Sequence, residues 1–311
     1  MLDVDGLVAV YTYEDLPERL RRPLPLLIPH PALTAPRTQF ALANGEVNHL
    51  GEAIAMVVAR DRYVAEDAVE RIAVGYDFLP AVVGAETAYA AEHAVHDDIP
   101  DNVAAHLVQE IGDAAGAIEA APHELEFRLD IERSSSQPME ARGVMARWDP
   151  EDEALRVYSS TQAPTSVRAA IATYLDMPFA QVDCVAPDVG GGFGVKIMHP
   201  WPEELLIPWA ARTWQRTVKY TEDRREHFVA ANHEREQVQW IHVCFDDDGR
   251  ILGLDVRFLH DHGAYIPYGL IVPIITSTQL LGPYKITDYR VDFRSVYTNT
   301  VAVSPYRGAG R

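Results

Sequence analysis

Val182-Asp183-Cys184-Val185-Ala186-Pro187-Asp188-Val189-Gly190-Gly191-Gly192-Phe193-Gly194-Val195-Lys196 is a short β-prone run that a proline stops and four glycines in five positions follow. Residues 182–186 read as a strand ended at Pro187, whose ring removes a donor that the ladder needs. The glycines free the backbone from Cβ crowding and admit positive φ. Such a loop can turn several N–H groups toward one acceptor. A tight turn between two closely packed elements accounts for the same glycines equally well. The loop is not a P-loop, because Ile197 stands after Lys196 where Ser or Thr is needed. Nor does it open a dinucleotide-binding helix, since no G-x-G-x-x-G is present and Pro200 and Pro202 follow soon after.

Working outward, residues 165–175 carry Val167, Ile171 and Leu175 four apart, which predicts a helix. Residues 143–148 and 154–159 read as a hairpin across Asp149-Pro150-Glu151-Asp152. Downstream, 203–212 reads as a helix and 217–221 as a strand. Residues 236–245 and 251–260 form a strand pair across Asp246-Asp247-Asp248-Gly249, and 291–297 a last strand. Residues 124–131 alternate as a half-buried strand does. The most apolar stretch, 265–281, is broken by Pro267 and Pro273, so it reads as buried core or pocket wall and not as a membrane span. Near the start, 7–10 reads as a strand, 13–20 as a short helix, 53–59 as a buried strand, 63–73 as a helix and 74–79 as another strand. Residues 86–122, rich in Ala, Asp and His with weak periodicity, are expected to be a linker. The expected organisation is therefore a small α/β unit over 1–85, a linker over 86–122 and a larger unit over 123–311, in a mixed α+β chain.

The length of 311 residues suits two domains, and 48% hydrophobic residues supply a core. A net charge of -19 repels nucleic acids and anionic membranes, so neither is an expected partner. Cys184 and Cys244 form no short-spaced pair, which argues against zinc or iron–sulfur ligation within this chain and fits a reducing cytoplasm. Met1 to Gly6 lacks the basic and apolar regions of a signal peptide.

Three further features carry possible chemistry. Gln162, in Ser159-Ser160-Thr161-Gln162-Ala163-Pro164, sits where a strand stops and a helix begins. Its amide can donate to an oxo ligand, although taken alone helix capping or solvation explains it better. Arg307 stands among small residues in Tyr306-Arg307-Gly308-Ala309-Gly310-Arg311, either as an anion-recognising fork or as part of a solvated tail. His260 and His262 flank Asp261, and His227 and His233 lie near a helix end. Without a completed ligand set these read as ordinary histidines. Glu203-Glu204 reads as the acidic first turn of a helix.

Gln162, the loop from Gly190 to Lys196 and Arg307, in this order and at these spacings, resemble the large molybdenum-binding subunit of the xanthine dehydrogenase, aldehyde oxidase and carbon monoxide dehydrogenase family. Ser136-Gln137-Pro138-Met139-Glu140, Ala186-Pro187-Asp188-Val189, Glu222-Asp223-Arg224-Arg225-Glu226-His227, Gly263-Ala264-Tyr265 and Gly282-Pro283-Tyr284 agree with it. Gly51-Glu52 and Tyr76-Asp77-Phe78-Leu79-Pro80 resemble that family's hammerhead-like domain. The resemblance implies a partial hammerhead-like domain followed by the first molybdopterin-binding domain. It also implies oxidative hydroxylation of an aldehyde or N-heteroaromatic substrate with oxygen drawn from water. The cofactor would be molybdenum–molybdopterin in the cytosine dinucleotide form. Iron–sulfur clusters and FAD would be carried by partner subunits. By the same resemblance Gln162 would hydrogen-bond an oxo ligand of the metal. Gly191, Gly192, Phe193 and Gly194 would line the cofactor, and Arg307 would sit close to the metal, none of them ligating it.

Departures narrow the reading. Purine-oxidising members carry glutamate directly after the loop lysine, where this chain has Ile197, and an arginine where it has Ile275. Copper-bearing carbon monoxide enzymes carry cysteine where it has Gly308. The general-base glutamate of the family has no counterpart here, and neither Glu140 nor Glu203 is assigned to that role. The resemblance implies a chain that begins inside its first domain and ends before most of the pterin contacts. It is expected to be either one half of a split catalytic subunit completed by another chain or a truncated remnant without activity of its own.

Overall fold

The computed structural model describes residues 4–197 and 200–310. The sequence readings that rest on residues 1–3 and on Arg311 lie outside the described residues. The first unit pairs β1 (Leu7–Tyr11) antiparallel with β2 (Met56–Ala59). Helix α1 (Arg62–Val69) follows, opened by Asp61, whose carboxylate accepts from Val64 N at 3.0 Å. The helix expected over 13–20 is a single 3-10 turn, Tyr13–Asp15. No strand forms over 74–79, where Tyr76, Phe78 and Leu79 are exposed.

The stretch expected as a linker departs most from its sequence reading. It carries α2 (Ala85–Ala90), β3 (Val103–Ile111) and α3 (Ala114–Ala120). β3 hydrogen-bonds along its length to the last strand of the chain, so 103–111 is part of a sheet. Next come β4 (His123–Ser135), β5 (Gly143–Asp149) and β6 (Ala154–Ser159), the last two forming the expected hairpin. Then follow α4 (Pro164–Tyr174), β7 (Val182–Val185), α5 (Pro202–Trp214), β8 (Val218–Thr221) and α6 (Arg224–Ala230). The chain closes with β9 (His233–Phe245), β10 (Ile251–Asp261), α7 (Ile271–Gln279) and β11 (Asp288–Val296).

Two larger sheets result beside the β1-β2 pair, in a mixed α+β fold. One has five strands in the order β3-β11-β10-β9-β4, and the other four in the order β7-β6-β5-β8. The apolar stretch 265–281 becomes mostly buried chain and α7, as expected of core. Residues 124–131 do form a strand, yet Leu125, Phe127 and Leu129 remain exposed at the sheet's edge. A surface depression of about 550 Å³ lies on this sheet and is lined in part by Trp240, Arg257 and Asp292. None of its lining residues belongs to the glycine loop.

The four-stranded sheet positions the site. Leu155 and Val157 of β6 are buried, while Arg156 and Tyr158, which alternate with them, are not, so one face of the strand packs inward. Val167 and Ile171 of α4 and Leu205 of α5 close on that face, joined by Leu16, Leu20 and Leu42 from the first unit. Each such side chain contributes about 1.5–3 kcal/mol on burial. α4 crosses from β6 to the parallel strand β7. A parallel pair places both of its carboxyl ends on one side of the sheet, where open α/β sheets present their ligand sites.

Candidate functional site

The β6–α4 corner and the loop after β7 meet at those carboxyl ends. Tyr158 pairs with Val185, so Gln162, just past β6, and the glycine loop, just past β7, emerge side by side. Gly194 N donates to Gln162 Oε1 at 3.0 Å. A backbone N–H requires an oxygen partner, which fixes the orientation of the amide and leaves Gln162 Nε2 as a donor without an acceptor among the described residues. Gln162 N also donates to the Lys196 carbonyl at 2.9 Å. α4 starts with Pro164 in its first turn, where a missing N–H costs nothing, and no side chain caps it. The capping reading of Gln162 is therefore not what the fold uses.

The glycines divide by cause. Gly194 has φ +114, and a Cβ there would run into the backbone of the segment that brings Arg307, with Pro305 C only 2.8 Å away. Gly192 is different. Its φ is ordinary, but a Cβ would overlap the Gln162 side chain, with Cδ at 2.6 Å and Cγ at 2.8 Å. Phe193, between them, adopts φ +53 and is exposed. Among the described residues the amides of Gly191, Gly192 and Phe193 have no acceptor.

The third segment arrives from the other sheet. After β11 the chain runs beside β9, where His233 N donates to Ala302 O and Ser304 N to His233 O. Arg307 N then donates to Phe193 O at 2.9 Å. The Arg307 guanidinium lies 5.9 Å from the centroid of the Phe193 ring, and Tyr306 stands 6.4 Å from that ring. Arg307 is exposed and pairs with no carboxylate among the described residues. The fold thus brings Gln162, Gly191, Gly192, Phe193, Gly194 and Arg307 into one neighbourhood from three separate stretches of sequence.

Behind this wall lies a charged layer that the sequence reading did not find. Lys196 is fully buried, and its Nζ donates to Glu140 Oε2 at 2.8 Å and to Ser160 Oγ at 2.7 Å. Burial opposes the Lys196 charge and lowers its pKa, with Glu140 offsetting part of the effect. Burial also raises the Glu140 carboxyl, but Lys196, Ser160 and Gly190 outweigh it and hold it below its usual value. Deeper still, Arg142 pairs with Glu203 at 2.7 Å and Glu222 at 2.9 Å, and it stacks 3.5 Å from the Trp201 ring centroid. Glu222 also meets His227 Nδ1 at 2.9 Å. Glu203 and Glu204 do lie in the first turn of α5, as expected. Glu204 is buried, accepts from Ser159 Oγ and Trp201 N, and is pushed up to about 7 by desolvation. His260 and His262 are buried core residues, and the described residues contain no group of three His, Cys, Asp or Glu able to hold a metal ion. No helix among them is long and apolar enough to cross a membrane.

Known proteins share both the sequence and the fold. Residues 95–311 match the molybdopterin cofactor-binding domain, and residues 1–80 match the aldehyde oxidase and xanthine dehydrogenase a/b hammerhead domain. The gamma subunit of the 6-hydroxypseudooxynicotine dehydrogenase complex of Paenarthrobacter nicotinovorans is 34% identical over 87% of this chain and 34% of its own length. The nicotine 6-hydroxylase large subunit of the same organism is 31% identical over 88% of this chain and 34% of its own. Quinoline 2-oxidoreductase from Pseudomonas putida 86 superimposes with a TM-score of 0.91 at 32% identity, over 99% of this chain and 39% of that one. The chain spans about a third of the length of these two curated relatives.

Proposed function

Because the chain belongs to the family of molybdenum-binding large subunits of the xanthine dehydrogenase, aldehyde oxidase and carbon monoxide dehydrogenase type, we propose that it forms one wall of the active site of a molybdenum hydroxylase. The site residues fit a molybdopterin centre on their own chemistry. Among the described residues three loop amides, the Gln162 Nε2 and the Arg307 guanidinium have no acceptor or carboxylate partner, and they gather around Gly192, whose missing Cβ leaves room for the Gln162 side chain. Such donors suit an oxo ligand and the anionic groups of a pterin. Gln162 and the amides of Gly191, Gly192 and Phe193 would hold the cofactor's oxo face. Arg307, braced over Phe193, would supply fixed positive charge beside it. When bound, the group would supply two-electron oxidation of a carbon centre with water as the oxygen source.

The observation that carries this reading is the Gly194 N–H to Gln162 Oε1 bond, which locks the amide with its donor end free. Preorganised donors of this kind stabilise developing negative charge without reorganising during the reaction. Phe193 and Tyr306 give the site an aromatic wall, and the apolar Ile197 and Ile275 stand where purine-oxidising relatives carry ionic groups. These features favour an N-heteroaromatic substrate over an aldehyde, in line with the nicotine- and quinoline-oxidising relatives. The net change is R–H and water giving R–OH, two protons and two electrons. The electrons would leave through an iron–sulfur subunit to an FAD subunit. The remaining contacts to the pterin and to its cytosine dinucleotide moiety, and the general-base glutamate, would come from polypeptide beyond this third of the relatives' length. A cytoplasmic setting and a division into a hammerhead-like unit and a cofactor-binding unit belong to the same proposal.

The test is purification of the complete complex, assay of its molybdenum content, and turnover of quinoline-type substrates and aldehydes in H₂¹⁸O. The expected result is stoichiometric molybdenum and ¹⁸O in a hydroxylated heteroaromatic product. A complex that retains no molybdenum, or a product without the label, overturns the reading. Turnover of aldehydes alone overturns the substrate class.

A further inference from the structure

We propose that Glu140 is a positioning residue which, through Lys196 and Ser160, sets the spacing between Gln162 and the glycine loop; this rests on the reading of that loop as a molybdenum-site wall. A single carboxylate oxygen does the work. Glu140 Oε2 accepts from Gly190 N at 2.8 Å, Ser160 Oγ at 2.7 Å and Lys196 Nζ at 2.8 Å. These three donors come from the start of the loop, the end of β6 and the end of the loop. Lys196 is held at both extremities. Its ammonium bridges Glu140 and Ser160, and its carbonyl accepts from Gln162 N at 2.9 Å and Thr161 Oγ1 at 3.2 Å. Gln162 is therefore fixed by its backbone to the residue that Glu140 holds, and by its side chain to Gly194.

Close packing leaves little slack. Glu140 N donates to Gly190 O at 3.3 Å, and a Cβ on Gly190 would lie 2.6 Å from Glu140 Cβ. The glycine at 190 thus admits the Glu140 side chain itself. A buried ammonium is tolerated only when paired, and Glu140 is its sole ion-pair partner among the described residues. Removing that partner leaves Lys196 either to neutralise, which loosens its hold on Ser160, or to pull toward solvent, which carries its carbonyl and the Gln162 N bound to it along. Glu140 itself touches neither Gln162 nor Gly194 through any hydrogen bond.

The experiment compares the full chain with two variants, Glu140→Gln and the double variant Glu140→Gln with Lys196→Met, by residue-resolved hydrogen exchange. The double variant removes both charges of the pair while keeping bulk, so it guards against simple loss of folding. The expected result is at least tenfold faster exchange at Gly190 and Gly194 in both variants, with β5 and β6 protected as before. In the complete complex, at equal molybdenum content, kcat falls at least tenfold while KM stays within about twofold. A folded double variant that protects Gly194 as the unchanged chain does, or a loss of activity explained wholly by lost molybdenum, overturns the proposal. Because exchange at Gly194 is read without any cofactor, faster exchange in a protein that never binds molybdenum would sink the cofactor reading and leave the clamp standing.

Discussion

Gly192→Ala separates fold from site more cleanly than any other single change in the loop. The backbone at 192 has an ordinary φ, so alanine brings no torsional strain there, unlike at Gly194. The three nearest atoms to the new methyl all belong to the Gln162 side chain. Because Cγ is among them, a rotation at the amide end does not suffice and χ1 must change. That breaks the bond from Gly194 N, whose residue is buried. A lost hydrogen bond together with a stranded donor costs about 1–3 kcal/mol, and replacing glycine returns about 0.4–1 kcal/mol through the unfolded state. The net loss is about 1–2 kcal/mol, which lowers Tm on the order of 2–3 °C for a chain of this size. Function should suffer far more, since removal of one preorganised donor typically costs about 10²–10³ in kcat. The assay is thermal unfolding of the chain beside kcat per molybdenum in the complete complex. If the variant keeps more than half of that kcat while Gln162 is shown to have moved, Gln162 is not a site donor and the reasoning fails.

The two arginines of the site region should behave in opposite ways. Arg142→Ala strands Glu203 and Glu222 in the interior, so urea unfolding should show a loss of about 3–5 kcal/mol; a loss under 1 kcal/mol would mean that the buried pair is not needed. Arg307→Ala removes an exposed, unpaired side chain, so stability should change by no more than about 0.5 kcal/mol, while kcat/KM of the complex falls at least tenfold; an unchanged kcat/KM would remove Arg307 from the site. Glu204, buried and pushed up to about 7 from 4.5, prefers its neutral form in the folded chain. Its contribution to stability is fully present below pH 4.5 and is lost as the pH rises through 7. Glu204→Gln should flatten that part of the stability–pH curve measured by chemical denaturation, and an unchanged slope would count against the shift.

Where local pattern and tertiary context agree, the sequence was readable. The turns at 149–152 and 246–249 separate strands that pair with each other. The 3.6-residue spacing of Val167 and Ile171 buries one face of α4 as expected. What escaped the reading depended on distant partners. β3 has a weak pattern, with two alanines and a histidine at its start, and is a strand because β11, some 180 residues away, supplies its ladder. Residues 74–79 show the opposite case. Their composition is β-prone, but no neighbouring strand offers a ladder, so Phe78 stays 93% exposed.

The site follows the same logic at the level of side chains. Gln162, the loop and Arg307 were legible only together, because their order and spacing resemble the family's; taken singly each had a bland reading. The layer that holds them was not legible, because nothing in Lys196 alone says which carboxylate it will meet. A lysine directly after a glycine loop and next to apolar Ile197 did carry one usable signal. If it turned inward it required an acid, and Glu140, Asp188 and Glu222 of the resembling motifs, with Glu203 and Glu204 close by in sequence, were the candidates. The fold chooses between them by geometry. Glu203 and Glu222 are already taken by Arg142, and Glu204 by Ser159 and Trp201, which leaves Glu140 for Lys196. The donors that would face the cofactor are thus aligned by ion pairs on their far side, and a charge change in that hidden layer is felt at the open face without touching it.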